Sequence, residues 1–201
     1  MKIALFDYGT GNLHSLGKAL AAAGATVTIT SRWKDALALD ALVLPGVGAF
    51  GSAVKSLGSE TARVREALEA GLPCLGICLG MQLLFHRSHE GEGKGIGFLS
   101  GSVRRLRTHI TPQMGWNDVH IAPTGLEPLF QGVDNLVAYY ANSYVCQPSD
   151  QGFVIATSTY QGDTFPAAVR RLHTWGVQFH PEKSSAQGLH IISNFLRQVC
   201  P

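Results

Sequence analysis

Four short runs of apolar and β-branched residues punctuate the first half of the chain, at residues 3–6, 26–30, 41–44 and 73–77. Each has the length of a strand buried on both faces. The segments between them place apolar residues every three or four positions, as in Leu13, Leu16 and Leu20, and predict helices over 13–23, 62–70 and 79–85. Strands alternating with helices predict an α/β fold: an open, mostly parallel twisted sheet with helices on both faces. The second half changes character. Strand-like runs at 103–106, 116–121, 136–140, 153–158, 167–172 and 175–179 follow one another with little helix between them, so several are expected as antiparallel additions. Leu189, Ile192, Phe195, Leu196 and Val199 then recur at helical spacing and predict a last helix over 188–199. No linker interrupts the pattern, and residues 1–201 read as one domain.

Composition narrows the function classes. A chain of 201 residues buries roughly two thirds to three quarters of its unfolded surface, and 45% hydrophobic against 15% charged residues fits a globular core rather than disorder. The net charge is only +2. Basic residues are scattered apart from Arg104, Arg105 and Arg107, expected as a solvated strand face, so no nucleic-acid footprint stands out. Asp7 ends the first apolar run after four residues, too soon for a signal peptide, and no stretch approaches the ~20 apolar residues of a membrane span. A soluble, cytoplasmic protein is expected. Cys74, Cys78, Cys146 and Cys200 lack paired metal-ligand spacing, so reduced thiols and no metal site are expected.

One cysteine stands in a different context. Gly76-Ile77-Cys78-Leu79-Gly80 follows a strand run and precedes a helix run, the G-x-nucleophile-x-G pattern of a strained strand-to-helix elbow. Glycines allow the tight turn, the helix amino terminus favours a thiolate, and the Leu79 N–H faces a reacting carbonyl. A buried strand-end cysteine is the bland alternative. His180-Pro181-Glu182 also falls at a predicted strand end, where side chains at i and i+2 of an extended segment point the same way, so the carboxylate can orient the imidazole. Alone, such a histidine is more often structural; beside an elbow it reads as a triad. Pro45-Gly46-Val47-Gly48 follows a third strand run, and the Val47 N–H is a candidate second donor to an oxyanion. His86, His89 and Glu90 could be drawn as metal ligands, but they lie in a polar, Gly-rich surface stretch. Trp116 and Tyr139 read as partly buried aromatics, with an interface role as the sharper option.

At these residues the chain resembles the class I glutamine amidotransferases, in particular the glutaminase subunits of imidazole glycerol phosphate synthase. The resemblance rests on the elbow, on Asp7-Tyr8-Gly9-Thr10-Gly11-Asn12-Leu13, Pro45 to Phe50, Met81-Gln82, Met114-Gly115-Trp116-Asn117 and Gly176 to Ser184. It implies a cofactor-independent glutaminase: Cys78 attacks the glutamine carboxamide and forms a thioester, His180 and Glu182 complete the triad, and Leu79 and Val47 N–H groups hold the oxyanion. It also implies that Gly48, Gln82 and the Ser143-Tyr144 backbone hold the amino acid. Asn12, Trp116, Tyr139 and Lys183 would face a separate (β/α)₈-barrel cyclase, in a heterodimer that passes ammonia between subunits. Two positions depart from the family pattern: Gln113 and Asn142 stand where histidines are usual, which puts the interface signalling route in question. Alternatives are a glutaminase serving another synthase, against which Met114 to Asn117 argues, a non-catalytic scaffold, and a cysteine peptidase on a similar fold.

Overall fold

A computed structural model describes residues 1–9, 13–123 and 127–199. The first half alternates as expected: β1 (Lys2–Phe6), α1 (Leu13–Ala22), β2 (Thr26–Thr30), α2 (Trp33–Ala36), β3 (Ala41–Leu44), α3 (Phe50–Leu57), α4 (Thr61–Glu69), β4 (Cys74–Ile77) and α5 (Leu79–Leu83). The second half supplies β5 (Gly101–Arg105), β6 (Gln113–Asp118), β7 (His120–Ile121), β8 (Val137–Asn142), β9 (Tyr144–Pro148), β10 (Val154–Tyr160), β11 (Asp163–Arg171), β12 (Thr174–Val177) and α6 (Ser185–Val199). Helices α2 and α3 and strand β9 were not foreseen. In α3, Phe50, Ala53 and Leu57 bury one face, but Gly51 and Ser52 dilute the apolar signal in its first turn. The single strand expected over 116–121 divides into β6 and β7, which pair with different partners.

One eight-stranded sheet runs β2-β1-β3-β4-β12-β11-β10-β7. Its first five strands are mutually parallel and the last three are antiparallel additions. Period-2 alternation distributes β1 between two cores: Ile3 and Leu5 join Leu16 and Leu20 of α1 and Ile192 and Phe195 of α6, whereas Ala4 and Phe6 join Trp33, Phe50, Val64 and Leu68 from α2, α3 and α4. Both faces of the parallel half are thereby covered. Two antiparallel ladders, β5-β9 and β6-β8, stand apart from the large sheet.

The same alternation corrects the expected solvated arginine face. Arg104 points inward from β5, where its guanidinium grips Asp163 at the start of β11 in a two-pronged pair at 2.7 and 2.8 Å. The Arg107 N–H donates to the same carboxylate at 2.8 Å. Arg105 and Arg107 are exposed as expected.

Candidate active site

Strands β4 and β12 lie side by side and parallel at the centre of the sheet, and the chemistry-bearing residues follow directly from their carboxyl ends. In open α/β sheets this is where clefts form. Cys78 leaves β4 with φ +48°, a region that costs a non-glycine residue of order 1–3 kcal/mol and persists only where its surroundings enforce it. Two glycines make room for the turn. A Cβ on Gly80 would overlap the Leu44 carbonyl oxygen, and one on Gly46 would sit 2.6 Å from the Ile77 oxygen and 3.0 Å from Cys78 Cβ. The Cys78 N–H donates to Val177 O at 2.7 Å, which ties the elbow to β12. Helix α5 has only five residues, shorter than the predicted 79–85, so its dipole is correspondingly slight.

His180 and Glu182 meet as expected, but by a different route. His180 is extended, whereas Pro181–Lys183 form one turn of 3₁₀ helix with proline at its start. That turn, rather than strand alternation, brings Glu182 Oε1 to 2.9 Å from His180 Nδ1. The backbone of His180 is clasped by its neighbours: its N–H donates to Tyr139 O at 2.8 Å, and Ser184 Oγ donates to its carbonyl at 2.6 Å while accepting from the Tyr139 N–H at 3.0 Å. Burial works to lower the affinity of the ring for its proton, but its interactions with Cys78 and Glu182 outweigh this and raise the His180 pKa to about 10. His180 Nε2 and Glu182 Oε2 are buried and make no aligned hydrogen bond.

The sulfur has another neighbour. Gln178, fully buried, directs its Nε2 at Cys78 Sγ at 3.4 Å. Gln82 Nε2 lies between Gln178 Oε1 at 3.4 Å and Tyr144 O at 3.0 Å. Period 2 places Gln178 in phase with His180, a signal that was available but unused.

A cleft of about 240 Å³ opens over Cys78. Val47, Gly48, Leu79, Gln82, Ser143 and Tyr144 all line it, so the nucleophile, oxyanion and substrate candidates converge on one space. His180 is buried and Glu182 partly buried, both outside that lining. Glu90, weighed from sequence only as a metal ligand, also lines the cleft, and its Oε2 accepts from the Phe50 N–H at 3.0 Å. Nothing in its Gly-rich neighbourhood announces this. Asn142 forms part of the wall and donates to Tyr144 O at 3.1 Å. Opposite it on the ladder, Gln113 is buried with its amide unpaired.

On the other face of the β6-β8 ladder, Trp116 meets Tyr139 edge-on at 6.0 Å and Lys183 Nζ lies 5.6 Å over the Tyr139 ring. Tyr139 is half-buried as expected; Trp116 is not, being 55% exposed, with Met114 beside it at 68%. Asn12 lies outside the described residues, as does Cys200. Cys74 and Cys146 are buried, and burial raises both thiols well above their ordinary range. Among the described residues no cluster of three or more His, Cys, Asp or Glu could hold a metal, and no helix is long and apolar enough to cross a membrane.

A cysteine at a strained elbow, a His–Glu pair just beyond the end of the adjacent strand and an α/β sheet of this order define an amidotransferase of the class I kind. The chain belongs to that family: residues 4–199 match Glutamine amidotransferase class-I. Among curated proteins it is similar to the imidazole glycerol phosphate synthase subunits HisH of Gloeothece citriformis, at 45% identity over 98% of this chain and 96% of the relative, and of Microcystis aeruginosa, at 43% over 98% and 95%. Its fold matches a crystallised glutamine amidotransferase at TM-score 0.76 and 22% identity, covering 98% of each chain. A glutamine amidotransferase of Thermotoga maritima matches at TM-score 0.75 and 16% identity, covering 100% and 99%.

Proposed function

We propose that this chain, acting as a single amidotransferase domain, is the glutaminase subunit of a cytoplasmic imidazole glycerol phosphate synthase. It hydrolyses glutamine to glutamate and ammonia and delivers the ammonia to a (β/α)₈-barrel cyclase in a heterodimer. The observation that carries the chemistry is the placement of Cys78 on a positive-φ elbow, at the floor of a cleft and beside the His180–Glu182 pair. The similarity to HisH subunits supports the choice of synthase.

In this scheme the Cys78 thiolate attacks the glutamine carboxamide carbon, and the oxygen that becomes negative is received by the Leu79 and Val47 N–H groups. Each such donor contributes on the order of 10² to 10³ in turnover. The imidazolium of His180 gives its proton to the departing nitrogen, ammonia leaves, and a glutamyl thioester remains. Neutral His180 then takes a proton from water as the hydroxide attacks the thioester, and Cys78 is expelled. Acid–base assistance of this type contributes roughly 10² to 10⁴ in rate, and Glu182 holds the ring in register. Gly48, Gln82 and the Ser143-Tyr144 backbone hold the amino-acid end. Glu90, a carboxylate in the cleft lining, is the candidate partner of the substrate ammonium.

Glutamate release by the purified chain, alone and with the barrel cyclase and its nucleotide ligand, tests both halves. Strong activation by the cyclase is expected. Activity indifferent to the cyclase would redirect the chain to another synthase, and silence in every mixture would sink the glutaminase assignment. Cys78→Ala should abolish hydrolysis of glutamine while its complex still makes product from free ammonium; full glutamine hydrolysis by that variant would overturn the mechanism.

A further inference from the structure

The side chains of Gln82 and Gln178 form a directed chain between the cleft wall and the nucleophile. An amide can be turned either way, so its direction must be argued from partners that cannot. Tyr144 O is such a partner, because a backbone carbonyl only accepts. It receives Gln82 at 3.0 Å and Asn142 Nδ2 at 3.1 Å, so Gln82 must present its NH₂ group to it. The same NH₂ group faces Gln178 at 3.4 Å, which obliges Gln178 to present its carbonyl oxygen there. The remaining end of Gln178, its NH₂, is then necessarily the end that meets Cys78 Sγ at 3.4 Å. Reversing either amide would set donor against donor or oxygen against oxygen. The whole chain is shielded, with Gln178 fully buried and Gln82 only 4% exposed, where a misdirected polar group has no water to fall back on.

We propose that Gln178 is a positioning residue that holds an N–H against the Cys78 sulfur, its direction set through Gln82 by the Tyr144 carbonyl. A sulfur that carries negative charge is a far better acceptor than a thiol, so this bond favours the attacking form and fixes its direction over the cleft floor. Gln82 and Tyr144 both line the cleft.

This inference rests on Cys78 being the nucleophile, and its test separates the two. The rate of alkylation of Cys78 by iodoacetamide at neutral pH, followed on its own peptide in the full-length chain, reports the reactivity of the sulfur without glutamine or partner. Gln178→Met keeps length and removes the donor; the expected rate is about tenfold lower, the scale of one lost hydrogen bond to a charged acceptor. Gln178→Glu, which turns an acceptor toward the sulfur, should lower it further. Gln82→Met should also slow alkylation, because it frees Gln178 to turn. In the complex, Gln178→Met should lose about tenfold in kcat with little change in KM. Alkylation of Cys74 or Cys146 marks a variant that has lost its fold, and the comparison then passes to the others. Wild-type alkylation rates in folded variants would overturn the proposal. A wild-type chain inert toward glutamine in every mixture would defeat the glutaminase assignment and leave the alkylation comparison standing.

Discussion

The proton on His180 sets how the site responds to pH. With its pKa raised to about 10, the ring is an imidazolium throughout the neutral range, the form that the proposed mechanism needs to protonate a leaving nitrogen. Glutamine hydrolysis in the complex should therefore hold through neutral pH and fall as pH rises through about 10, which a pH profile of kcat/KM checks. The sign for stability follows from the same shift: a raised pKa gives a contribution fully present below the ordinary value of 6.5 and lost as pH climbs to about 10. Glu182→Gln keeps the shape and removes the charge, so kcat is expected to drop by about 10² or more, measured as glutamate release. The convergence of Cys78, His180 and Glu182 was legible as a candidate site because glycines flanking a cysteine and a His-x-Glu just after a strand have a stated chemical reason. Glu90 was not, since a carboxylate among surface glycines acquires its meaning only when a loop folds over α3. Gln178 was overlooked because amides carry no chemistry until their partners fix their direction.

Elements, rather than single groups, explain two sites that are sensitive to substitution. The elbow works because β3 can approach it across Gly80. Gly80→Ala would wedge the Leu44 carbonyl away, with an expected cost of about 1–3 kcal/mol in urea unfolding and loss of turnover as the Cys78 peptide shifts. Strands β5 and β11 are pinned by the buried Arg104–Asp163 pair. Arg104→Met strands a carboxylate among buried neighbours, an error that typically costs 3–5 kcal/mol. Burial opposes ionisation of Asp163, yet its bonds from Arg104 and Arg107 prevail and hold its pKa below 3.8. Its contribution to stability is accordingly present above that value and lost as the solution is acidified through the lower, folded-state pKa. Parallel strands were readable from their apolar runs. The division of 116–121 was not, because alternation records which side a residue faces and says nothing of which strand it pairs with.

At the scale of the whole molecule, the aromatic face and the candidate active site share one ladder. Tyr139 packs against exposed Trp116 and under Lys183 on the outside, while its backbone clasps His180 on the inside. Trp116→Ala should leave urea unfolding unchanged, as expected for an exposed side chain. On the proposed cyclase interface it should weaken cyclase binding by about 2 kcal/mol or more, measured by titration calorimetry. The order of the sheet also bears on how the enzyme comes into being. Cys78 lies beside Gln178, 100 residues later in the chain, because the central position next to β4 is filled by β12, after every other strand. Closing so distant a contact is slow and comes late. During synthesis Cys78 therefore emerges about 100 residues ahead of the segment that carries Gln178 and His180, and the candidate nucleophile and base meet only once β12 has taken its place beside β4.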